Sequence, residues 1–236
     1  MVSESFGLLP NPLTIYPELE QGSDAWLQAR CGLVTASTVG KLLTAAGKVA
    51  DNDSSRGLTE TLVAERITGF VEYVHPSMSM QRGSLDEPHA RDKYREEHAS
   101  VTEIGFAVRD FGGRKMGASP DGLVDEVGGI EIKSRDPKIQ LRTILTDTVP
   151  AENMAQIQGS LLVFQREWWD YCSFAMGWPM HVIRVYPDPK WQTAIRDALD
   201  QFENNAARMI HQYKQTVGDA PIAERIDHFA EIELKL

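Results

Sequence analysis

Gly117-Ala-Ser-Pro-Asp-Gly-Leu-Val-Asp-Glu-Val-Gly-Gly-Ile-Glu-Ile-Lys-Ser134 carries two turn signals separated by short apolar runs, which predicts a β-hairpin with charges planted inside it. Pro120-Asp121-Gly122 is the first turn, and an apolar run follows to Val127. Gly128-Gly129 is then expected to reverse the chain into Ile130-Glu131-Ile132-Lys133. Alternate side chains of a strand share a face, so Ile130 and Ile132 point into a core while Glu131 and Lys133 point the other way. The hairpin also folds Asp121 back towards Glu131. Two carboxylates and one ammonium then converge on a small volume, and hard oxygen ligands of this kind suit Mg²⁺ or Mn²⁺.

Upstream, Ser23 is placed to cap a helix from Asp24 to Cys31, and Thr35 or Ser37 to cap a second one carrying Val39, Leu42 and Leu43. The segment between them puts Arg30 and the hydroxyls of Thr35 and Ser37 around a helix start, which is chemistry suited to a phosphate. Residues 1–20, with three prolines, read as an extended arm, and Gly47 to Ser55 as a polar loop. Helices are expected over about Leu58 to Thr68 and Met78 to His98, the latter containing Glu87 and Pro88. Taken alone, Glu87 reads as a solvated charge, and Met78 and Met80 as core filler.

The period changes to two from Val101 to Val108, and short strands follow at Lys115 to Ala118, Leu123 to Val127 and Ile130 to Ser134. Pro150 precedes a clear helix, Ala151 to Phe164, with Gln156 and Gln158 beside its apolar face. Trp168 to Met176 and Met180 to Tyr186 predict a second hairpin at the far edge of the sheet, with its aromatic residues used for packing. An amphipathic helix from about Lys190 to Lys214 and an acidic helical tail from Ile222 to Leu236 complete the chain, read as one domain over 1–236.

With 236 residues, 42% of them apolar, the chain is long enough for an ordinary core. Met1 to Leu13 lacks the basic and apolar regions of a leader, and no apolar run approaches the roughly 18 residues of a membrane span, so a soluble, cytoplasmic protein is expected. Cys31 and Cys172 are too few for a disulfide framework or a four-cysteine cluster and read as buried thiols. A net charge of −10 argues against a protein that coats nucleic acid. It leaves a nuclease open, because metal ligands are acidic and only a local patch has to be basic.

Aspartate followed about ten residues later by Glu-x-Lys resembles the metal-dependent PD-(D/E)xK nuclease superfamily, here as Pro120-Asp121 and Glu131-Ile132-Lys133. Six ordered blocks narrow the resemblance to the phage lambda exonuclease family: Gln21 to Arg30, Val34 to Ser37, Gly83 to Glu87 with Ala90-Arg91, Ser119 to Leu123, Glu131 to Lys133, and Met154 to Gln158. That resemblance implies an α/β (α+β) fold with a central mixed β-sheet flanked by helices around a restriction-endonuclease-like core. It implies that Asp121, Glu131, Glu87 and the Ile132 carbonyl bind two Mg²⁺ ions, for which Mn²⁺ can substitute, and that Lys133 orients or deprotonates the attacking water. Arg30, Ser37, Ser119 and Gln156 would contact a 5′-terminal phosphate or hold the site around it, and Met80 would split the duplex end.

The family further implies processive 5′ to 3′ digestion of double-stranded DNA ends by a ring-shaped homotrimer. A single-strand annealing protein would be its partner, and a phage or prophage in a bacterial host its source. Two alternatives stay open on the residues: another nuclease of the superfamily, restriction-type or RecB-like, and a non-catalytic DNA-binding recombination scaffold. An iron–sulfur branch is disfavoured by the two cysteines.

Overall fold

The computed structural model describes residues 12–72 and 74–226. The expected α/β fold is present, with its sheet divided into two four-stranded halves. The first half takes β1 (Leu13–Tyr16), β2 (Val34–Thr35), β3 (Phe106–Asp110) and β4 (Lys115–Ala118) in the order β1-β3-β4-β2. The second takes β5 (Gly122–Val124), β6 (Gly128–Ser134), β7 (Trp168–Phe174) and β8 (His181–Val185) in sequence order. Each half is mixed, parallel at β2/β4 and at β6/β7 and antiparallel elsewhere. The division falls at Ser119-Pro120-Asp121, where proline has no N–H to donate to a ladder. Thr102, which precedes β3, makes an isolated antiparallel bridge with Leu123 of β5. The break therefore sets Asp121 at the junction of the two halves.

The central hairpin forms, but its turn lies elsewhere than expected. The chain reverses at Asp125-Glu126-Val127, with Asp125 in the left-handed region at φ 45°, and Gly128 and Gly129 already belong to β6. Their role is to admit two aromatic rings from the neighbouring strand. A Cβ on Gly128 would stand 2.2 Å from the Trp168 ring, and one on Gly129 would stand 2.4 Å from the Trp169 ring. The tryptophans are packing residues, Trp169 being fully buried, as their place in the sequence suggests.

Helix α4 (Met78–Glu97) covers one face of the second half-sheet, where Ala90 and Tyr94 pack with Ile130, Ile132, Cys172 and Phe174. It runs continuously through Pro88. The other face is covered by α6 (Ala151–Phe164) and α7 (Pro189–Val217), which bury Ile157, Leu161, Ile195 and Leu199 against Trp169 and Tyr171. Together α5 (Pro137–Thr146) and α6 form the crossover that parallel β6 and β7 require. Gly159 lets α6 approach α2 (Ala36–Val39) closely, because a Cβ there would lie 3.2 Å from the Ala36 Cα. This contact brings the start of α2 alongside Gln156.

Other boundaries differ in instructive ways. Helix α3 (Asp53–Thr68) begins earlier than its apolar pattern, because Asn52 and Ser55 form a capping box that satisfies its first N–H groups. Part of the expected arm pairs as β1 with β3. Residues 222–226 are not helical, which corrects the start of the expected acidic tail; 1–11 and 227–236 lie outside the described residues. Cys172 is buried, whereas Cys31 is only partly so. No helix of the described residues is long and apolar enough to cross a membrane.

Candidate active site

One open cleft of about 510 Å³ is lined by all ten residues singled out from the sequence: Arg30, Ser37, Met80, Glu87, Ser119, Asp121, Glu131, Ile132, Lys133 and Gln156. One wall comes from α1 (Asp24–Arg30) and the start of α2, the other from α4, and the floor from β6 and α6. Strand alternation gives the floor its chemistry, since Ile130 and Ile132 pack under α4 while Glu131 and Lys133 face away.

Glu131 is 2% exposed. Its Oε1 accepts from Lys133 Nζ at 2.6 Å and from Gln156 Nε2 at 2.7 Å, while its Oε2 is buried without any partner. Such an orphaned carboxylate oxygen is costly unless something else occupies its lone pairs. Asp121 Oδ2 accepts from the Ile132 N–H at 2.6 Å, which leaves its second oxygen for the cleft. Burial, then the neighbouring Glu131 and Glu87 carboxylates, push the Asp121 carboxyl well above the usual aspartate range. Glu87 is raised in the same way, chiefly by burial, with Arg91 opposing and Glu131 adding. At Lys133 burial works to lower the pKa, but the Glu131 and Asp121 charges outweigh it and the net shift is upward. Lys133 is therefore a charged donor on the floor of the cleft.

Clustered carboxylates that repel one another, with a buried oxygen left unpaired, are the donor set a hard divalent cation needs. Asp121, Glu131, Glu87 and the Ile132 carbonyl fit that group. They do not stand as a ready-made cage: among the described residues no three His, Cys, Asp or Glu side chains are gathered closely enough to hold an ion. The cause is visible in their partners. Arg91 draws Glu87 aside, and Lys133 and Gln156 hold one oxygen of Glu131.

The other half of the cleft sets a cation beside hydroxyl groups. Arg30 Nη2 points to Thr35 Oγ1 at 3.4 Å and Ser37 Oγ at 3.5 Å, and these two hydroxyls are 3.0 Å apart. The guanidinium lies 3.8 Å over the Trp26 ring, and the Trp26 indole N–H donates to Ser119 Oγ at 2.9 Å. Burial lowers the Arg30 pKa to about 10, with Glu65 partly opposing, so the group keeps its charge at neutral pH. Met80 is 57% exposed and Met78 80%, so neither is core filler. Met80 stands at the rim of the cleft.

Thr35 lines the cleft with Arg30 and Ser37, and two further residues, Arg91 and Trp26, complete the site. Arg91, nearly buried, donates from Nε to the Asp121 carbonyl at 2.8 Å and from Nη2 to Glu87. Its signal is the spacing of four from Glu87 on one helix face. Thr35 lies between Arg30 and Ser37, and Trp26 joins Arg30 to Ser119; both lie within the segment flagged for phosphate or its preceding helix. Gln158, two residues from Gln156, turns away and donates to the Tyr186 carbonyl at 2.9 Å. It is a packing residue.

A model of the YqaJ-like viral recombinase domain matches residues 25–167. The chain is similar to an alkaline exonuclease from Laribacter hongkongensis, LHK-Exo, at 30% identity and a TM-score of 0.75, over 84% of this chain and all of that one. The crystal structure of LHK-Exo in complex with dAMP matches over the same shares, at 30% identity and a TM-score of 0.73. A phage-related exonuclease from Haemophilus somnus shares the fold at 12% identity and a TM-score of 0.58, over 77% of this chain and 96% of that one. No curated protein gives a significant match.

Proposed function

The chain belongs to the YqaJ-like viral recombinase domain family, a membership that supports a nuclease role, and we propose that it is a 5′ to 3′ exonuclease degrading one strand of linear double-stranded DNA from 5′-phosphorylated ends. The observation that carries this reading is the union, in one cleft, of the Asp121, Glu131 and Lys133 group with the Arg30, Thr35, Ser37 and Ser119 pocket. A guanidinium with hydroxyl donors binds a terminal phosphate dianion, and the carboxylates with the lysine serve the phosphate to be cut.

The two halves are connected by a short piece of chain. Ser119 and Asp121 are two residues apart, at most about 7 Å. That separation is of the order of one nucleotide, which suits removal of residues one at a time from a held 5′ end. That LHK-Exo was crystallised in complex with dAMP supports a nucleoside monophosphate as a ligand of this enzyme too.

Asp121, Glu131, Glu87 and the Ile132 carbonyl would hold two Mg²⁺ ions, with Mn²⁺ able to substitute. When bound, divalent ions of this kind neutralise the scissile phosphate and lower the pKa of water. The chain's own groups do the rest. Lys133 donates to the attacking water and keeps a positive charge beside the developing negative one. Gln156 holds Glu131 in place through Oε1. Arg30 and the hydroxyls hold the terminal phosphate in register. Met80, exposed at the rim, is the apolar side chain against which the end of the duplex opens.

We further propose a homotrimeric ring, which would keep an acidic enzyme on DNA by enclosure rather than by charge, and a single-strand annealing protein that coats the 3′ overhang. Polarity is checked with a blunt duplex labelled at the 5′ or the 3′ end of one strand. Early release of the 5′ label as a mononucleotide, with the 3′ label retained on shortening strands, is the expected outcome. Early loss of the 3′ label would refute the assigned direction.

A further inference from the structure

Resting on the 5′-phosphate reading, we infer that Trp26 is a positioning residue that sets end selectivity, by holding Arg30 over its ring and by orienting the Ser119 hydroxyl through its indole N–H. Trp26 is the third residue of α1, and its backbone is fixed by the helix cap, since its N–H donates to Ser23 Oγ at 3.2 Å. Arg30 follows four residues later, on the same helix face, so the guanidinium stacks on the indole within one element. The other edge of the ring reaches across the cleft to the loop between β4 and β5. It meets Ser119 Oγ there at 2.9 Å, two residues before Asp121.

Hydrogen-bond chemistry turns this contact into an orientation. An indole N–H can only donate, so Ser119 Oγ must accept from it. The single hydroxyl hydrogen of Ser119 is left to donate, and an anion in the cleft is the acceptor that this hydrogen fits. Arg30 likewise faces Thr35 and Ser37 with its Nη2 and lies 3.8 Å over the ring centroid, which limits its rotamers before any phosphate arrives. One side chain thus couples a cation on α1 to a hydroxyl on the loop that carries Asp121. Among the described residues no other hydrogen bond of Arg30 or Ser119 joins these two elements.

The test compares rates on linear duplexes with 5′-phosphate and 5′-hydroxyl ends, expressed as their ratio, in the Mg²⁺-loaded enzyme. Trp26→Phe keeps a ring under Arg30 and removes the N–H. Its ratio is expected to fall about tenfold, the worth of one hydrogen bond to a charged acceptor, with an unchanged melting midpoint. In a Ser119→Ala background the same substitution is expected to change the ratio by less than about twofold, because the oriented hydroxyl is already gone. A parent-like ratio in Trp26→Phe, or an equal fall in both backgrounds, would overturn the inference. A parent enzyme with no preference for 5′-phosphate would instead overturn the reading on which it rests.

Discussion

Replacing Lys133 with alanine is expected to lower turnover of a 5′-phosphorylated duplex by about 10²–10⁴-fold and to leave binding of the DNA end within about threefold of the parent. The expectation follows from where the ammonium stands. Lys133 Nζ is 2.6 Å from Glu131 Oε1, on the floor of the cleft, with its charge secured by Glu131 and Asp121. In the proposed function the terminal phosphate is bound instead by Arg30 and the hydroxyls of Thr35 and Ser37. Removing the lysine therefore withdraws charge from the reacting phosphate but not from the anchored one. Glu131 keeps Gln156 as a partner at 2.7 Å, so its position survives the substitution. A single-turnover rate with saturating DNA, beside fluorescence anisotropy of a labelled end, separates the two effects. A binding loss as large as the rate loss would refute the assigned role.

Asp121→Asn is expected to abolish metal-dependent turnover, by at least about 10³-fold, while raising the melting midpoint of the protein in the presence of a chelator. Burial and the charges of Glu131 and Glu87 hold the Asp121 carboxyl well above its unfolded value. The fold thus favours the protonated form. Its contribution to stability is full below the unfolded pKa of about 4 and is lost as pH rises through the folded value. When ionised, the Asp121 carboxylate is buried beside Glu131 and Glu87, and burial with their charges outweighs the help of Lys133 and the Ile132 N–H. Asparagine removes that charge, and its amide oxygen can still accept from the Ile132 N–H in place of Oδ2. The midpoint should rise by roughly 2–4 °C per 1 kcal/mol relieved, and the advantage should shrink towards pH 4. Scanning calorimetry at pH 8 and pH 4.5 checks it; a lower midpoint for the variant at pH 8 would contradict the account.

Much of this was legible because the decisive residues obey local rules. The two-residue period places Glu131 and Lys133 together whatever the rest of the sheet does, and Ser23, Asp24 and Arg30 announce α1 by capping and spacing. What escaped the sequence depends on distant partners. Gly128 and Gly129 read as a turn because a glycine pair usually is one, whereas here they make room for Trp168 and Trp169, about forty residues further on. Strand β2 is two residues long and has no pattern of its own; β4 pairs with it in parallel. The contact of Trp26 with Ser119 spans 93 residues, and only the fold brings them together. Met78 and Met80 carry no signal that separates a cleft rim from a core.

In the proposed function one cleft both anchors a phosphorylated 5′ end and cuts beside it. The most direct test is digestion, with Mg²⁺, of three forms of one DNA: linear with 5′-phosphate, linear with 5′-hydroxyl, and covalently closed circular. Rapid loss of the phosphorylated form, slower loss of the hydroxyl form and an intact circle are the results predicted. Cleavage of the closed circle at a rate comparable to the linear forms would contradict the account.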